Sequence, residues 1–237
     1  MTLPGGESTR DGAEHGREVA GGLGDEGWRA PVDGAQVAPA GAFEPVVLEG
    51  AHVRLEPLAL DQVGELAEVG LDPELWRWTH SLISSVRDVR RYVEEALDLQ
   101  ARGIALPFVT RERASGRLVG STRFGNIALD HRRVEIGWTW LAAPWQRTAL
   151  NTEAKYLMMR HAFERVACLR VEFKTDALNE KSRAALARIG ATEEGTLRSH
   201  MITESGRSRD SVYFSVIASE WPRVKGRLEG MLRAGGG

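Results

Sequence analysis

The sequence predicts one α+β domain with a mixed β-sheet, preceded by a tail without regular structure. Helical and strand patterns alternate from Val46 to the C-terminus, which is typical of a sheet covered by helices. Three strand-like runs follow one another in the middle of the chain, as in an antiparallel meander. A chain of 237 residues, 42% of them hydrophobic, is long enough to bury one large core.

The first 45 residues have a different composition. They hold ten of the 26 glycines, and three basic against eight acidic residues give them a net charge of −5. Their few apolar residues follow no regular spacing and cannot offset the entropy lost on ordering. We therefore expect residues 1–45 to be a disordered acidic tail and residues 46–237 to be the domain. An acidic arm that binds a partner is the alternative interpretation of the tail.

The first half of the domain is predicted as strand, helix, helix and meander. Alternating apolar residues over 53–57 predict the first strand, and residues 60–70 have helical spacing with a glycine stop. Ser84 and Ser85 can cap a second helix that ends at Gly103. Turn residues separate the strands of the meander, which we predict over residues 104–110, 118–127 and 134–141.

The second half of the domain begins after a loop at Pro144. Its apolar spacing alternates between the periods of helix and strand. The predicted order is helix 154–167, strand 170–176, helix 182–189, strands 192–203 and 209–217, and a C-terminal helix over 219–232.

Composition excludes several classes of protein. The chain has no run of about 18 apolar residues, which a membrane span requires. Its net charge of −2 gives none of the cationic excess expected of a nucleic-acid binder. Cys168 is the single cysteine, so neither a disulfide framework nor a cysteine zinc cluster is possible, and we predict no metal site. Because the N-terminus has no signal-peptide pattern, we expect a cytoplasmic protein.

Three polar features fall near the ends of successive predicted strands. Period two along residues 134–140 places Glu135, Gly137 and Thr139 on one face, so small residues leave a carboxylate accessible. A solvated glutamate on an exposed face is the alternative. The next strand ends before Asn179 and Ser182, which share one face of the following helix and which plain helix capping would also explain.

The third feature is the loop and helix start that follow the strand at 134–141. A helix start of this kind gathers unpaired amides and a positive dipole end that can bind phosphate. An ordinary loop capped by Asn151 or Thr152 is the alternative. The polar residues gathered there are Gln146, Arg147, Thr148, Asn151 and Thr152.

These features together resemble the GNAT (GCN5-related) N-acetyltransferases, and within them the ribosomal-protein-alanine, or Rim-type, branch. The similarity covers residues 48–216 and is carried by the segments 135–138, 144–155, 179–182 and 186–191. It implies a three-layer α/β/α fold with a mixed, mostly antiparallel sheet of seven strands, splayed between the fourth and fifth strands, with acetyl-CoA in the split. The phosphate loop of the family reads Arg/Gln-x-x-Gly-x-Gly/Ala. This chain keeps Gln146 and replaces the two glycines by Ala149 and Asn151.

The resemblance also implies roles for individual residues. Glu135 would be the general base acting through water, Ser121 on the neighbouring strand would be the partner of the amine or water, and Ser182 would be the donor to the leaving sulfur. Backbone amides near Trp140 and Leu141 would hold the pantetheine amide and the thioester oxygen. The other implied cofactor-binding residues are Gln146, Arg147, Thr148, Ala149, Leu150, Asn151, Thr152, Asn179 and Ser182.

The resulting functional hypothesis is an acyltransferase that moves the acetyl group of acetyl-CoA directly to a primary amine. The acceptor, a protein N-terminus or a small-molecule amine, stays open, and so does homodimer formation. A non-catalytic acyl-CoA sensor on the same fold is the alternative, and a nucleotide site at the same helix start lacks the Gly-Lys-Ser/Thr ending of a P-loop. Side chains that either line an acceptor pocket or belong to the core are Trp76, Trp78, His80, Arg198, His200, Ser211 and Tyr213.

Overall fold

A computed structural model describes residues 41–235. Residues 1–40 of the predicted tail lie outside the described residues. The last five residues of the predicted tail, 41–45, include two that contact the domain. The Gly41 N–H donates to the Val166 carbonyl at 2.9 Å, and the ring of Phe43 lies 4.8 Å from that of Phe124, centroid to centroid. Residues 41–45 therefore contact the domain, which differs from the boundary predicted at residue 45.

The described residues form a mixed sheet of eight strands. All neighbouring strands are antiparallel except β5 and β6, which are parallel. The sheet order is β1-β2-β3-β4-β5-β6-β8-β7. The strands are β1 (Leu48–Glu49), β2 (Val53–Pro57), β3 (Leu106–Glu112), β4 (Leu118–Ala128), β5 (Arg133–Leu141), β6 (Arg170–Asp176), β7 (Thr192–Ile202) and β8 (Ser208–Ile217).

The sheet has one strand more than the seven predicted. The additional strand, β1, is only two residues long and pairs with β2, so its sequence carries no period of its own. Because β1 precedes the first predicted strand, every predicted strand is numbered one higher in the structure. The split predicted between the fourth and fifth strands therefore corresponds to the boundary between β5 and β6. The mixed, mostly antiparallel sheet itself is confirmed.

Helices cover both faces of the sheet and make the predicted three layers. One hydrophobic cluster joins one face to α3, α4 and α5 through residues such as Leu157, Leu186 and Trp221. A second cluster joins the other face to α1 and α2 through Leu66 and Val93. The helices are α1 (Val63–Gly70), α2 (Val86–Ala101), α3 (Ala149–Arg160), α4 (Glu180–Ile189) and α5 (Trp221–Arg233).

Helix boundaries follow local capping. Ser85 accepts the Asp88 N–H at the start of α2, and Gly190 ends α4 in the left-handed conformation with φ +95°. The predicted start of α3 at residue 154 is wrong by five residues, because Thr148 caps the helix and Asn151 and Thr152 lie within its first turn. None of the helices within residues 41–235 is long and apolar enough to cross a membrane.

Candidate active site

Strands β5 and β6 separate part-way along their length. They pair only from Arg133 to Glu135 and from Arg170 to Glu172, although β5 continues to Leu141 and β6 to Asp176. The edges of the two strands beyond these pairs therefore face each other without a ladder. This opening lies at the carboxyl ends of two parallel strands, so β5 beyond Glu135 has no strand partner on the β6 side.

A β-bulge at Trp138 reverses the strand faces within the opening. Ser121 of β4 pairs with Trp140 and Arg123 pairs with Gly137, so Trp138 and Thr139 together oppose one residue of β4, and Trp138 has φ +50°. The prediction of strict alternation through residue 140 is wrong for this reason.

The bulge moves two side chains to faces that alternation did not predict. The Trp138 ring covers Gly125, the pairing partner of Glu135, and therefore lies on the Glu135 face. The Thr139 hydroxyl lies on the opposite face, 2.7 Å from that of Thr122, which in turn lies beside Met158 of α3.

Glu135 lies on the face of the sheet covered by α1 and α2. Its side chain is only 3% exposed, and its Oε2 accepts a hydrogen bond from Asn126 Nδ2 at 2.7 Å and lies 3.6 Å from Lys174 Nζ. The carboxylate still borders an open cavity of about 530 Å³. The other residues lining this cavity are Ile104, Asn126, Ile127, Ala128, Arg133, Glu172 and Tyr213.

Ser121 does not meet Glu135 in the structure. Its side chain is fully buried, and its hydroxyl donates to the Phe108 carbonyl at 2.9 Å. Ser121 is four residues along β4 from Gly125, which pairs with Glu135, a separation of about 13 Å along a strand. The structure thus gives this hydroxyl a partner in the core and not in the cavity.

The loop after β5 is held by its own polar side chains. Gln146 Nε2 donates to the Leu141 carbonyl at 2.8 Å, and Arg147 takes the left-handed conformation with φ +60°. The Thr148 hydroxyl donates to the Trp145 carbonyl at 2.8 Å and accepts the Leu150 N–H at 3.4 Å. The left-handed residue is thus Arg147, whereas Ala149 and Asn151, which replace the family glycines, are helical.

The first turns of α3 hold the polar side chains of Asn151, Thr152 and Lys155. Asn151 Oδ1 is buried without a hydrogen bond among the described residues, and the Thr152 hydroxyl accepts from Arg188 Nη2 at 3.3 Å. Lys155, one turn further, has no acidic partner in the described part of the chain, and burial lowers its pKa to about 8. Its Nζ lies 5.6 Å from the centroid of the Phe173 ring of β6, so this ammonium faces the strand that borders the opening.

The remaining predicted residues lie at the same end of the sheet. Trp140 and Leu141 end β5; the Trp140 ring joins the α1–α2 cluster and the Leu141 side chain joins the α3 cluster. Asn179 caps α4, since its Oδ1 accepts the Ser182 N–H at 3.1 Å. The Ser182 side chain is partly exposed, and α3 and α4 meet through the Thr152–Arg188 contact. The structure therefore brings both helix starts to the open ends of β5 and β6.

Sequence reasoning missed Asn126 and Lys174, the two side chains that contact Glu135. A polar residue at a predicted strand end and a lysine within a strand resemble ordinary surface positions. A signal was available for Lys174, because the chain has only four lysines among its 31 basic residues and one of them lies on the strand after the split.

A family model described as "Acetyltransferase (GNAT) domain" matches residues 52–192, more than half of the chain. The chain belongs to the GNAT acetyltransferase family. Residues 135–155, which build the opening and the start of α3, lie within the match. The GNAT fold and family expected from the sequence are confirmed.

Individual relatives agree with the Rim-type branch. Over 110 residues the chain is 35% identical to a Bacillus subtilis (strain 168) protein named as ribosomal N-acetyltransferase YdaF, a match that spans 46% of this chain and 59% of YdaF. A Mycobacterium smegmatis RimJ structure in complex with CoA-disulfide is 26% identical with TM-score 0.67, and the match covers 79% of this chain and 92% of RimJ. An acetyltransferase structure from T. thermophilus is 36% identical with TM-score 0.73, covering 80% and 98% of the two chains.

Proposed function

We propose that this chain is an N-acetyltransferase that transfers the acetyl group of acetyl-CoA directly to a primary amine. The observation that carries the proposal is the position of Glu135. Its carboxylate borders an open cavity beside the last pair of β5 and β6, at the point where the two strands separate. The general base lies at one end of the opening and the start of α3 lies at the other. This arrangement fits an acyl transfer in which one substrate is bound at each end.

The start of α3 fits the phosphate end of acetyl-CoA. The dipole of a helix start favours an anion, and the orphaned Asn151 Oδ1 can accept a hydrogen bond from an N–H or O–H group of the cofactor. The buried, unpaired Lys155 adds positive charge one turn further along the helix. When bound, acetyl-CoA supplies the activated acetyl group as a thioester. The residues proposed to hold it are Trp140, Leu141, Gln146, Arg147, Thr148, Ala149, Leu150, Asn151, Thr152, Asn179 and Ser182.

Glu135 would act on the acceptor amine. An amine arrives as an ammonium and must lose a proton before it attacks, and a carboxylate within reach of the cavity can accept that proton directly or through one water. The hydrogen bond from Asn126 fixes Oε2, and the Gly137 backbone leaves Oε1 uncrowded, since a Cβ there would lie 2.9 Å from it. The Ser182 hydroxyl, which makes no hydrogen bond among the described residues, is the proposed donor to the leaving sulfur. Ser121 is not included, because its hydroxyl is bound to the core.

Both acceptor classes remain candidates, and the relatives favour testing protein N-termini first. YdaF is named for a ribosomal acceptor, and RimJ is a protein of the same branch. Among the aromatic residues considered from the sequence, Tyr213 borders the Glu135 cavity. Trp76 instead packs within the core beside Trp140, with ring centroids 5.3 Å apart.

The test is an acceptor panel with acetyl-CoA, in which release of the CoA thiol is followed. The panel contains short peptides with free N-termini, the same peptides with blocked N-termini, and small primary amines. We expect thiol release with at least one free amine and none with its blocked counterpart. Saturable acetyl-CoA binding without release for any amine would favour the sensor alternative, and absence of binding to the folded protein would contradict both.

A further inference from the structure

Lysine is scarce in this chain, and its placement is uneven. The four lysines are Lys155, Lys174, Lys181 and Lys225, against 27 arginines among 31 basic residues. Lys181 is exposed at the start of α4, and Lys225 on α5 is paired with Glu164 at 2.9 Å. The other two lie beside β6 on opposite faces of the sheet: Lys174 is part of β6 and contacts Glu135, and Lys155 of α3 faces the ring of Phe173.

Lys174 occupies the position that an acceptor ammonium would need. It is the second residue after Glu172, the last residue of β6 paired with β5, and it lies on the same face as Glu172. Its Nζ is 3.6 Å from Glu135 Oε2, and its side chain is 14% exposed. The aromatic rings of Trp138 and Tyr213 flank it at 5.9 and 6.0 Å from Nζ to centroid.

This environment contains what an acceptor amine requires. The carboxylate that we propose as the general base is within reach of Nζ after a small movement, and the two ring faces stabilise a cation beside it. Lys225 is also paired with a carboxylate but lies on α5, away from the opening. Lys174 is thus the lysine of the chain that combines an ion pair with the proposed base and a place at the split.

We propose that Lys174 is a self-acetylation site of this protein, an inference that rests on the proposed function. Glu135 takes a proton from the Lys174 ammonium, and the neutral Nζ attacks the thioester carbonyl of acetyl-CoA. The new bond is the amide N–C bond and the broken bond is C–S; the thiolate leaves as CoA and takes up the second proton that Nζ loses. The product, N-acetyllysine, is neutral, so Glu135 loses its ion-pair partner and keeps the hydrogen bond from Asn126.

The experiment is incubation of the full chain with isotope-labelled acetyl-CoA in the absence of any other amine. The protein is then cut with a protease that does not cleave at lysine, and label is quantified at each of the four lysines by mass spectrometry. We expect Lys174 to be labelled faster than the more exposed Lys181 and Lys225. In Glu135→Gln, labelling of Lys174 should fall by about 100-fold or more, the contribution of a positioned base, while labelling of Lys181 and Lys225 stays at the parent level.

Lys225 is the matched control, because it is ion-paired and more accessible than Lys174. Equal rates at Lys174 and Lys225, or a Lys174 rate that is unchanged in Glu135→Gln, would mean uncatalysed acetylation and would overturn the proposal. A chain that acetylates an external amine but leaves Lys174 unlabelled would also overturn it while the proposed function stands. Absence of acetyl-CoA binding together with absence of label would overturn both.

Discussion

Glu135→Gln tests the proposed chemistry with little change of shape. The glutamine oxygen can still accept from Asn126, but the variant loses the proton acceptor and the charge that faces Lys174. A positioned base contributes about 100- to 10,000-fold, so turnover should fall by that factor, equivalent to about 3–5 kcal/mol of activation free energy. Because the ion pair is partly buried, the free energy of unfolding should fall by about 1–3 kcal/mol.

Acetyl-CoA binding should survive the same substitution. Glu135 and Leu141 pair with Gly125 and Gly120, which are five residues apart on β4 and therefore about 17 Å apart along a strand, and the proposed phosphate contacts lie beyond Leu141. The dissociation constant should therefore change by less than about threefold. The assays are steady-state kinetics with an acceptor found in the panel and calorimetric titration with acetyl-CoA.

Glu172→Gln is the matched control for Glu135→Gln. Glu172 lines the same cavity in register with Glu135, but Arg133 and Arg170 hold its carboxylate at 3.2 and 2.7 Å. Its turnover should fall by less than about tenfold, below the range of a positioned base. A Glu135→Gln variant that keeps full turnover, or one that no longer binds acetyl-CoA while folded, would refute the assignment of Glu135 as the base.

Three further predictions concern stability, each measured by urea unfolding. Glu153→Ala should lower the free energy of unfolding by about 2–5 kcal/mol, because the Glu153 carboxylate accepts the N–H groups of residues 51–53 at 2.6–2.8 Å and the N–H of Val53 is buried. A decrease below about 0.5 kcal/mol would contradict this. Phe43→Ala should lower the free energy of unfolding by about 1–3 kcal/mol, because the Phe43 ring packs against Phe124. A chain that starts at residue 46 should be less stable by the same amount than one that starts at residue 41, and equal stability would mean that the Phe43 contact contributes nothing. Lys155→Met should stabilise the protein at pH 7 by up to about 3 kcal/mol, because burial lowers the pKa of Lys155 from 10.5 to about 8. Between these two pKa values the unfolded state binds more protons than the folded state, so the stability of the parent rises with pH. The advantage of the Lys155→Met variant should therefore disappear above pH 10.5. A gain in stability that is independent of pH would refute the burial of a charged Lys155 as its cause.

Strand periodicity and helix-capping residues predicted the features that depend on neighbouring residues in the sequence. The carboxylate at Glu135 beside Gly137 follows from period two, and the start of α4 follows from the capping side chain of Asn179. The eighth strand, β1, was not predictable in this way. It depends on pairing with β2 and on the Glu153 carboxylate, which lies about 100 residues away in sequence and holds the turn between the two strands.

The candidate site was predictable only in part, since a contact partner on another strand leaves no local pattern. The family resemblance implied that Ser121 acts in the same site as Glu135, yet strand register pairs Ser121 with Trp140 and places it four residues along β4 from the partner of Glu135. Lys174 reaches Glu135 because β5 and β6 are parallel and in register up to Glu172. The helix between β5 and β6 in the sequence suggests that the two strands are parallel. The register that brings Lys174 to Glu135, however, is set by packing in three dimensions.

The bulge at Trp138 shows why backbone geometry decides the surroundings of the base. With strict alternation the indole would point into the cluster formed with α3, and Thr139 would lie on the same face of β5 as Glu135. The bulge places the indole over Gly125, where a Cβ would lie 2.3 Å from the ring, and between the cations of Arg123 and Lys174, at 5.1 and 5.9 Å from its centroid. Gly125 on β4 makes room for the ring and Gly137 on β5 makes room for the carboxylate. The position of the indole beside Lys174 and the room around the Glu135 carboxylate therefore depend on two positions without side chains, one on each of two neighbouring strands.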